Sequence, residues 1–282
     1  MKSMKWPSSA VLCVMGMLAV ITSCTKSNSS SSSVPPGQQK FNMYLTDGPV
    51  NYQAVNIDIQ SISVLVAPDS CNADTTGSQW NWNHPTCYQW DSLNITPGVY
   101  NILNFQNGID TLFSATNIPK GKILKIRITL GDNNSIVADS TTFKLDLLWG
   151  NTFTINVDEC QQVDPGSLAL WVDFDAGHSI IEVLHQHFAL WPHIRLFTRA
   201  NSGSVQGTLL PAAADPFVSV ISGQDTLIAL PGRHGNWEVR GIKSSTVDVT
   251  FHATAGAYHD TTISNVNIKP GSSVDLGTVT LH

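Results

Sequence analysis

The chain has 282 residues, 42% of them apolar and 13% charged, with a formal net charge of −6. That apolar content excludes a disordered chain, and the negative balance argues against nucleic acid and anionic membrane surfaces as main partners. The acids divide into 18 Asp and 3 Glu; Glu favours helices and Asp favours turns and caps, so a helical bundle is excluded and a turn-rich, mainly β fold is expected.

Lys2 and Lys5 precede an apolar run from Ala10 to Thr22 that ends at Ser23-Cys24. A basic start, a short apolar stretch and small residues before the cut form a secretory signal over residues 1–23. The run is too short for a bilayer-spanning helix, which needs about 20 residues. Cys24, directly after it, resembles the lipobox cysteine of bacterial lipoproteins, which is lipidated and becomes the mature N-terminus. Acyl chains would then supply the membrane affinity, at about 0.8 kcal/mol per buried CH₂. Losing residues 1–23 removes Lys2 and Lys5 and no acid, so the charge moves from −6 to −8. Residues 24–39 contain Ser29 to Ser33 and Val34-Pro35-Pro36-Gly37, a composition with nothing to bury, and are expected to form a disordered tether. Position 25 is Thr rather than Asp. By family analogy the outer membrane is the expected location, with the periplasmic or surface face left open.

Cys71, Cys87 and Cys160 remain in the exported chain, a context that permits disulfides. Cys71 and Cys87 flank a polar, turn-rich stretch and are the favoured pair. Their bridge would contribute about 3 kcal/mol in the chain-entropy model. Cys160 would then be a buried leftover thiol; a bridge from Cys160 to either of the others is the alternative. No CxxC or ligand-spaced His accompanies these cysteines, so no metal site is expected on them.

From residue 40 the pattern is strand, turn, strand. Phe41 to Leu45 leads into the turn cluster Thr46-Asp47-Gly48-Pro49. Val55, Ile57 and Ile59 alternate with polar residues, and the strand continues through Ile62, Val64 and Val66. Tyr100 to Ser114 offers a short helix stopped at Asn107-Gly108. Ile123 to Leu130 is a strong strand, and Thr141–Leu148 and Asn151–Val157 read as a pair. Leu168 to Phe174 is an apolar strand. Ser179–Leu184 and Phe188–Phe197 read as a hairpin. A second domain is expected over 201–282, after a β-rich domain over 40–200. Its seven short strands lie near 204–210, 217–221, 226–230, 236–239, 246–254, 261–268 and 273–281, which indicates a small antiparallel β-sandwich.

Residues 41–199 resemble the domain-of-unknown-function 4382 family of bacterial lipoproteins. The resemblance rests on Leu45-Thr46-Asp47-Gly48-Pro49, Val55-Asn56-Ile57-Asp58-Ile59, Trp90, Asn107-Gly108, Ile118-Pro119-Lys120-Gly121 before Ile126-Arg127-Ile128-Thr129-Leu130, Asp173-Phe174-Asp175-Ala176, Pro192 and Arg195. Gly48 departs from the family's Ala, and the Cys71–Cys87 stretch looks like a local insertion. Residues 203–281 resemble a carboxypeptidase-regulatory-like, transthyretin-like sandwich, through Gly203-Ser204-Val205-Gln206-Gly207, Gly235-Asn236-Trp237-Glu238-Val239 and Gly277-Thr278-Val279-Thr280-Leu281. These resemblances imply a sandwich-like fold and export. They bring no assigned activity and no cofactor.

Four groups of residues are weighed for function. Asp173 and Asp175 are two apart and would share a side on a continuing strand; with Asp47 or Asp132 they form a weak ion-site candidate, and turn capping is the favoured role. His185, His187 and His193 are read as polar residues of a hairpin rather than zinc ligands. Trp80 and Trp82, in the Cys-flanked loop, are ligand-binding candidates for sugars or a partner surface, whereas Trp90 is read as core. Ser179 follows His178, but adjacency is not a triad. No Walker loop, dinucleotide fingerprint or GxSxG is present, and no catalytic residue is assigned. The expected role is non-catalytic: a lipid-anchored envelope protein that binds or scaffolds a polysaccharide or a partner protein. An enzyme or metal-dependent site near Asp173 and Asp175 is the second reading, and a structural subunit of a surface assembly the third.

Overall fold

Val55, Ile57 and Ile59 carry odd residue numbers in the Ala54–Pro68 strand, whereas Ile62, Val64 and Val66 carry even ones. A regular strand would turn one set to solvent. Pairing with Gly121–Leu130 slips between Ile59 and Ser61, and this bulge restores the phase. All six side chains are buried as a result. The computed structural model in which this is seen describes residues 34–47, 52–69, 88–109, 111–158 and 160–282.

The Ala54–Pro68 strand lies within a nine-stranded sheet. The order is Ile180–Leu184, His187–Leu190, Thr141–Asp146, Ser135–Ala138, Ala54–Pro68, Gly121–Leu130, Thr152–Asn156, and Gln89–Ser92 and Gly98–Asn101 also pair with the long strand. A five-stranded sheet runs Gln161–Asp164, Ser167–Phe174, Gln38–Asp47, Thr111–Pro119, with Ile194–Phe197 joined along Ser167–Phe174. Side chains from both sheets, among them Phe41, Met43, Ile57, Ile126 and Leu170, form the larger core.

Beyond residue 202 the seven expected strands are the seven found. Asn236–Ile242, Gly203–Leu210 and Ser273–Thr280 make one sheet; Asp225–Ala229, Phe217–Ser222, Thr246–His252 and Thr261–Asn267 make the other. Their inner faces meet in a second core around Val205, Leu209, Val220, Trp237 and Phe251. The fold is thus mainly β and sandwich-like. Pairing among the described strands is antiparallel except at three places: Gln38–Asp47 with Ser167–Phe174, Thr141–Asp146 with His187–Leu190, and Gly203–Leu210 with Ser273–Thr280. Residues 34–282 form one compact unit. No helix among the described residues is long and apolar enough to cross a membrane.

Several local expectations change. Thr141–Asp146 pairs with Ser135–Ala138 and not with Thr152–Asn156, which lies on Gly121–Leu130 instead. The reason is the two-residue turn Asp139-Ser140, with φ of 47° and 61°, whose twist suits a tight hairpin. The helix expected within 100–114 is only a 3-10 turn, Ile102–Phe105, capped by Asn101. Asn107 and Gly108, at φ 52° and 76°, turn the chain into the strand Thr111–Pro119. The stretch 188–197 is split. His187–Leu190 stays in the hairpin, and Ile194–Phe197 crosses to the five-stranded sheet. Pro192, which has no N–H to give a ladder, lies at the break. Trp90 is half-buried rather than core, with the Arg127 guanidinium 4.2 Å above its ring. Cys160 is half-buried against the larger core rather than fully enclosed.

Candidate functional site

Ser167–Phe174 is apolar almost throughout because both of its faces are covered. Leu170, Val172 and Phe174 enter the larger core, while Ala169 and Trp171 face the other way. The Trp171 ring stacks on Tyr44 at 4.8 Å and on Phe197 at 6.2 Å, and the Arg199 guanidinium lies 5.1 Å from it. Asp173 follows Trp171 on this outward face. It is buried, and its Oδ2 accepts a hydrogen bond from Arg195, its register neighbour on Ile194–Phe197. Burial is the largest influence on Asp173 and pushes its carboxyl above the ordinary value, against the pull of the Arg195 guanidinium.

The second sandwich supplies the facing wall. Trp237 and Val239 point into its core, so Glu238 and Arg240 point out. Arg240 holds Glu238 through two donated bonds, 2.8 Å from Nε and 3.2 Å from Nη2. Gly241 follows at φ +72°, and a Cβ there would come within 2.8 Å of the Phe197 ring. The connection between the two halves is a hydrogen-bonded knot. Thr198 N donates to Asn201 Oδ1 at 3.0 Å, Asn201 N to Thr198 Oγ1 at 3.2 Å, and Ser202 Oγ to the Thr198 carbonyl at 2.6 Å. Thr198 and Ser202 are buried. Across the junction, Asn107 Nδ2 donates to the Leu230 carbonyl at 2.9 Å.

Between these walls is a cleft of about 300 Å³ lined by Trp171, Phe197, Arg199, Gln206, Glu238 and Arg240, with serines at its rim. An adjoining pocket shares Phe197, Glu238 and Arg240 and reaches Asn107, Asp173 and Arg195. Among the described residues six buried side-chain polar atoms have no hydrogen-bond partner, and four of them border this junction: Asp173 Oδ1, Arg195 Nε, Asn107 Oδ1 and Trp171 Nε1. Buried polar atoms are rarely left unmatched, so each of these four calls for a partner, which water or a ligand can supply. Two of the four atoms are donors and two are acceptors.

The residues singled out from sequence fall in different places. Cys24, Cys71, Cys87, Trp80 and Trp82 lie outside the described residues. Asp47 ends its strand opposite Phe174. Asp173 does not cap a turn, because it belongs to the buried pair just described. Asp175 does: it caps the short helix Ala176–Ser179, accepting from His178 N at 3.1 Å. The strand stops at Phe174, so Asp173 and Asp175 do not share one continuing face. Asp132 is exposed. The buried acid of that region is Asp58, which accepts from Asn133 N and Nδ2 at 3.1 and 3.0 Å and anchors the 131–134 loop. His185 and His187 are exposed at the hairpin tip, whereas His193 is elsewhere, 3.7 Å from Asp175.

Two groupings escaped the sequence reading. Asp175 Oδ2 lies 2.7 Å from His178 Nδ1 as well as near His193, so one carboxylate and two imidazoles converge. Ser219 Oγ lies 2.8 Å from His252 Nε2, and His252 Nδ1 lies 2.8 Å from Asp260 Oδ2. That is the atom order of a nucleophile, base and orienting acid. However, Ser219 is buried in mid-strand, paired on both sides with Ile228 and Thr250. It lacks the strand-to-helix elbow that exposes a nucleophile, and the relay reads as a clamp between strands. The alternation of Glu238 and Arg240 with Trp237 and Val239 is the one sequence signal that marks the junction wall.

A family model described as "Domain of unknown function (DUF4382)" matches residues 38–192. No curated protein matches the chain. Among solved structures, the chain is similar to the TIE protein of Bacillus anthracis at 8% identity, covering 87% of this chain and 34% of that one, with a TM-score of 0.21. It thus spans about a third of that protein's length. It is also similar to the shaft pilin SpaA of Lactobacillus rhamnosus GG at 8% identity, covering 87% and 98%, with a TM-score of 0.22. A third is the minor pilin of Streptococcus agalactiae at 9% identity, covering 86% and 95%, with a TM-score of 0.19.

Proposed function

From the premise that the chain belongs to the DUF4382 family, matched over residues 38–192, we propose a non-catalytic, lipid-anchored envelope protein that binds a glycan in the cleft between its two cores. Cys24 is the anchor and the outer membrane is the location; the tether is residues 24–33 rather than 24–39, because Gln38 opens the first strand, Gln39 is buried and the compact unit begins at Val34. The second sandwich, read as carboxypeptidase-regulatory-like, serves as one wall of the site.

The observation that supports this reading is a set of four unmatched polar atoms at the junction, Trp171 Nε1 on the cleft and Asp173 Oδ1, Arg195 Nε and Asn107 Oδ1 on the small pocket that adjoins it. A sugar hydroxyl both donates and accepts, so one ligand class satisfies the N–H groups of Arg195 and Trp171 and the oxygens of Asp173 and Asn107. The cleft is concave and lined by planar amide, carboxylate and guanidinium groups beside aromatic rings, which suits a small polar guest better than a flat protein surface. The test is a glycan array probed with wild type, Gln206→Ala and Arg240→Ala. Selective binding that both variants weaken supports the reading. An array without signal, or variants that bind as wild type does, rejects it.

A further inference from the structure

Asp175, His178 and His193 form a second site, on chemistry separate from the cleft: we infer that they bind one divalent transition-metal ion through Oδ2 of Asp175 and Nδ1 of both imidazoles. One ligand atom from each of the three residues lies within 4.8 Å of the other two. Both ring nitrogens face the same carboxylate oxygen, His178 at 2.7 Å and His193 at 3.7 Å. An ion held about 2.0–2.1 Å from each ligand requires ligand-to-ligand spans of about 3–3.5 Å. The His178 contact must open and the His193 contact close by a few tenths of an ångström to reach those spans, and both imidazoles face solvent, at 60% and 52% exposure.

The backbone beneath the ligands is already fixed. Asp175 N donates to the His193 carbonyl at 2.9 Å, and Trp191 N donates to the Ser179 carbonyl at 2.8 Å. Ser179 Oγ donates to the Asp175 carbonyl at 2.6 Å and accepts from His193 N at 2.8 Å. Three of these bonds join the 175–179 corner to the 191–193 crossing, two segments that sequence separates, and the bond from Ser179 Oγ to the Asp175 carbonyl closes the corner itself. Asp175 also divides its oxygens. Oδ1 accepts the His178 backbone N–H at 3.1 Å, which orients the carboxylate and turns Oδ2 to the imidazoles, where its 2.7 Å hydrogen bond with His178 Nδ1 is the contact an ion would replace.

Each imidazole binds as the neutral ring, with its lone pair on Nδ1 and its proton on Nε2. Two imidazole nitrogens and one carboxylate oxygen suit zinc, nickel or copper, whereas calcium and magnesium prefer all-oxygen sites. The solvent side leaves coordination positions for water or an outside ligand. The ion would act as a clasp between the corner and the strand crossing.

The test is calorimetric titration of chelator-stripped, untagged full chain carrying Cys24→Ala with zinc chloride. One zinc per chain is expected, displaced by neither magnesium nor calcium. H178Q and H193Q should each weaken binding by more than about tenfold, the range already typical for loss of an outer-shell partner. H185Q, at the hairpin tip, should bind as the parent does. Near-UV circular dichroism verifies that these exposed substitutions keep the fold. Absence of saturable uptake, or uptake unchanged in H178Q and H193Q, overturns the assignment.

Discussion

Gly108 lies directly against the carboxylate of Glu238, across the junction of the two cores. A Cβ at position 108 would overlap Glu238 Oε2 and come within 3.0 Å of Arg240 Nη2. The family-matched half therefore meets the second sandwich through the absence of a side chain. Gly108→Ala is expected to destabilise by about 1 kcal/mol from its positive φ, and further by pushing Glu238 away from Arg240. Gly37→Ala is the control: its φ of +77° is nearly the same, and nothing lies within 4 Å of the added atom. Calorimetry should show a larger fall in Tm for Gly108→Ala than for Gly37→Ala. Equal falls would mean that Glu238 moves aside at no cost.

The raised pKa of Asp173 makes a pH prediction with a defined sign. A carboxyl whose folded pKa exceeds its unfolded value of about 3.9 adds stability below that value and loses it as pH rises through the folded pKa. Asp173→Asn removes the titration. The wild type's stability relative to this variant should therefore decline as pH rises above about 4. Denaturant titrations of both proteins across that range measure the difference. Arg195→Met, which leaves the acid buried alone, should cost about 3 kcal/mol at neutral pH, and the double variant should recover part of that loss.

The bulge at Ile59 to Ser61 predicts that this point of the strand tolerates both substitution and deletion. Ser61 is exposed, so Ser61→Ala should change stability by less than about 0.5 kcal/mol. Deleting Ser61 removes the extra residue, so Val55, Ile57, Ile59, Ile62, Val64 and Val66 fall on one face of a regular strand and the ladder with Gly121–Leu130 closes without a bulge. The deleted protein should keep a cooperative unfolding transition; loss of that transition with ANS binding would contradict the account.

What was legible follows from range. The seven strands of the second sandwich were readable because alternation and turn residues are local. The 100–114 stretch differs from its local signal because residue type does not reveal the positive φ of Asn107, and 188–197 differs because the crossing at Pro192 depends on a partner strand elsewhere. The cleft was hidden for a stronger reason. Asn107, Trp171, Asp173, Arg195 and Glu238 come from four separate segments, and Trp171 sits in an apolar run that reads as ordinary core. Asp173 was noticed as one of a pair with Asp175. The end of the strand at Phe174 separates them, giving Asp173 to Arg195 and Asp175 to the helix cap.

The anchor is tested separately. Cys24→Ala should move the exported protein from the membrane pellet to the soluble fraction and abolish labelling by a radioactive fatty acid. Retention in the pellet with label still incorporated would place the lipid on another residue.

The most direct measurement of the central claim uses the indole N–H of Trp171, a buried donor with no partner at the cleft. Its resonance in the ¹⁵N-labelled chain carrying Cys24→Ala is assigned by its loss in Trp171→Phe. Titration with the oligosaccharide that gives the strongest array signal should shift this resonance in a saturable way, together with the Arg195 Nε–H. Saturable binding that shifts neither of them would place the ligand elsewhere and contradict the account.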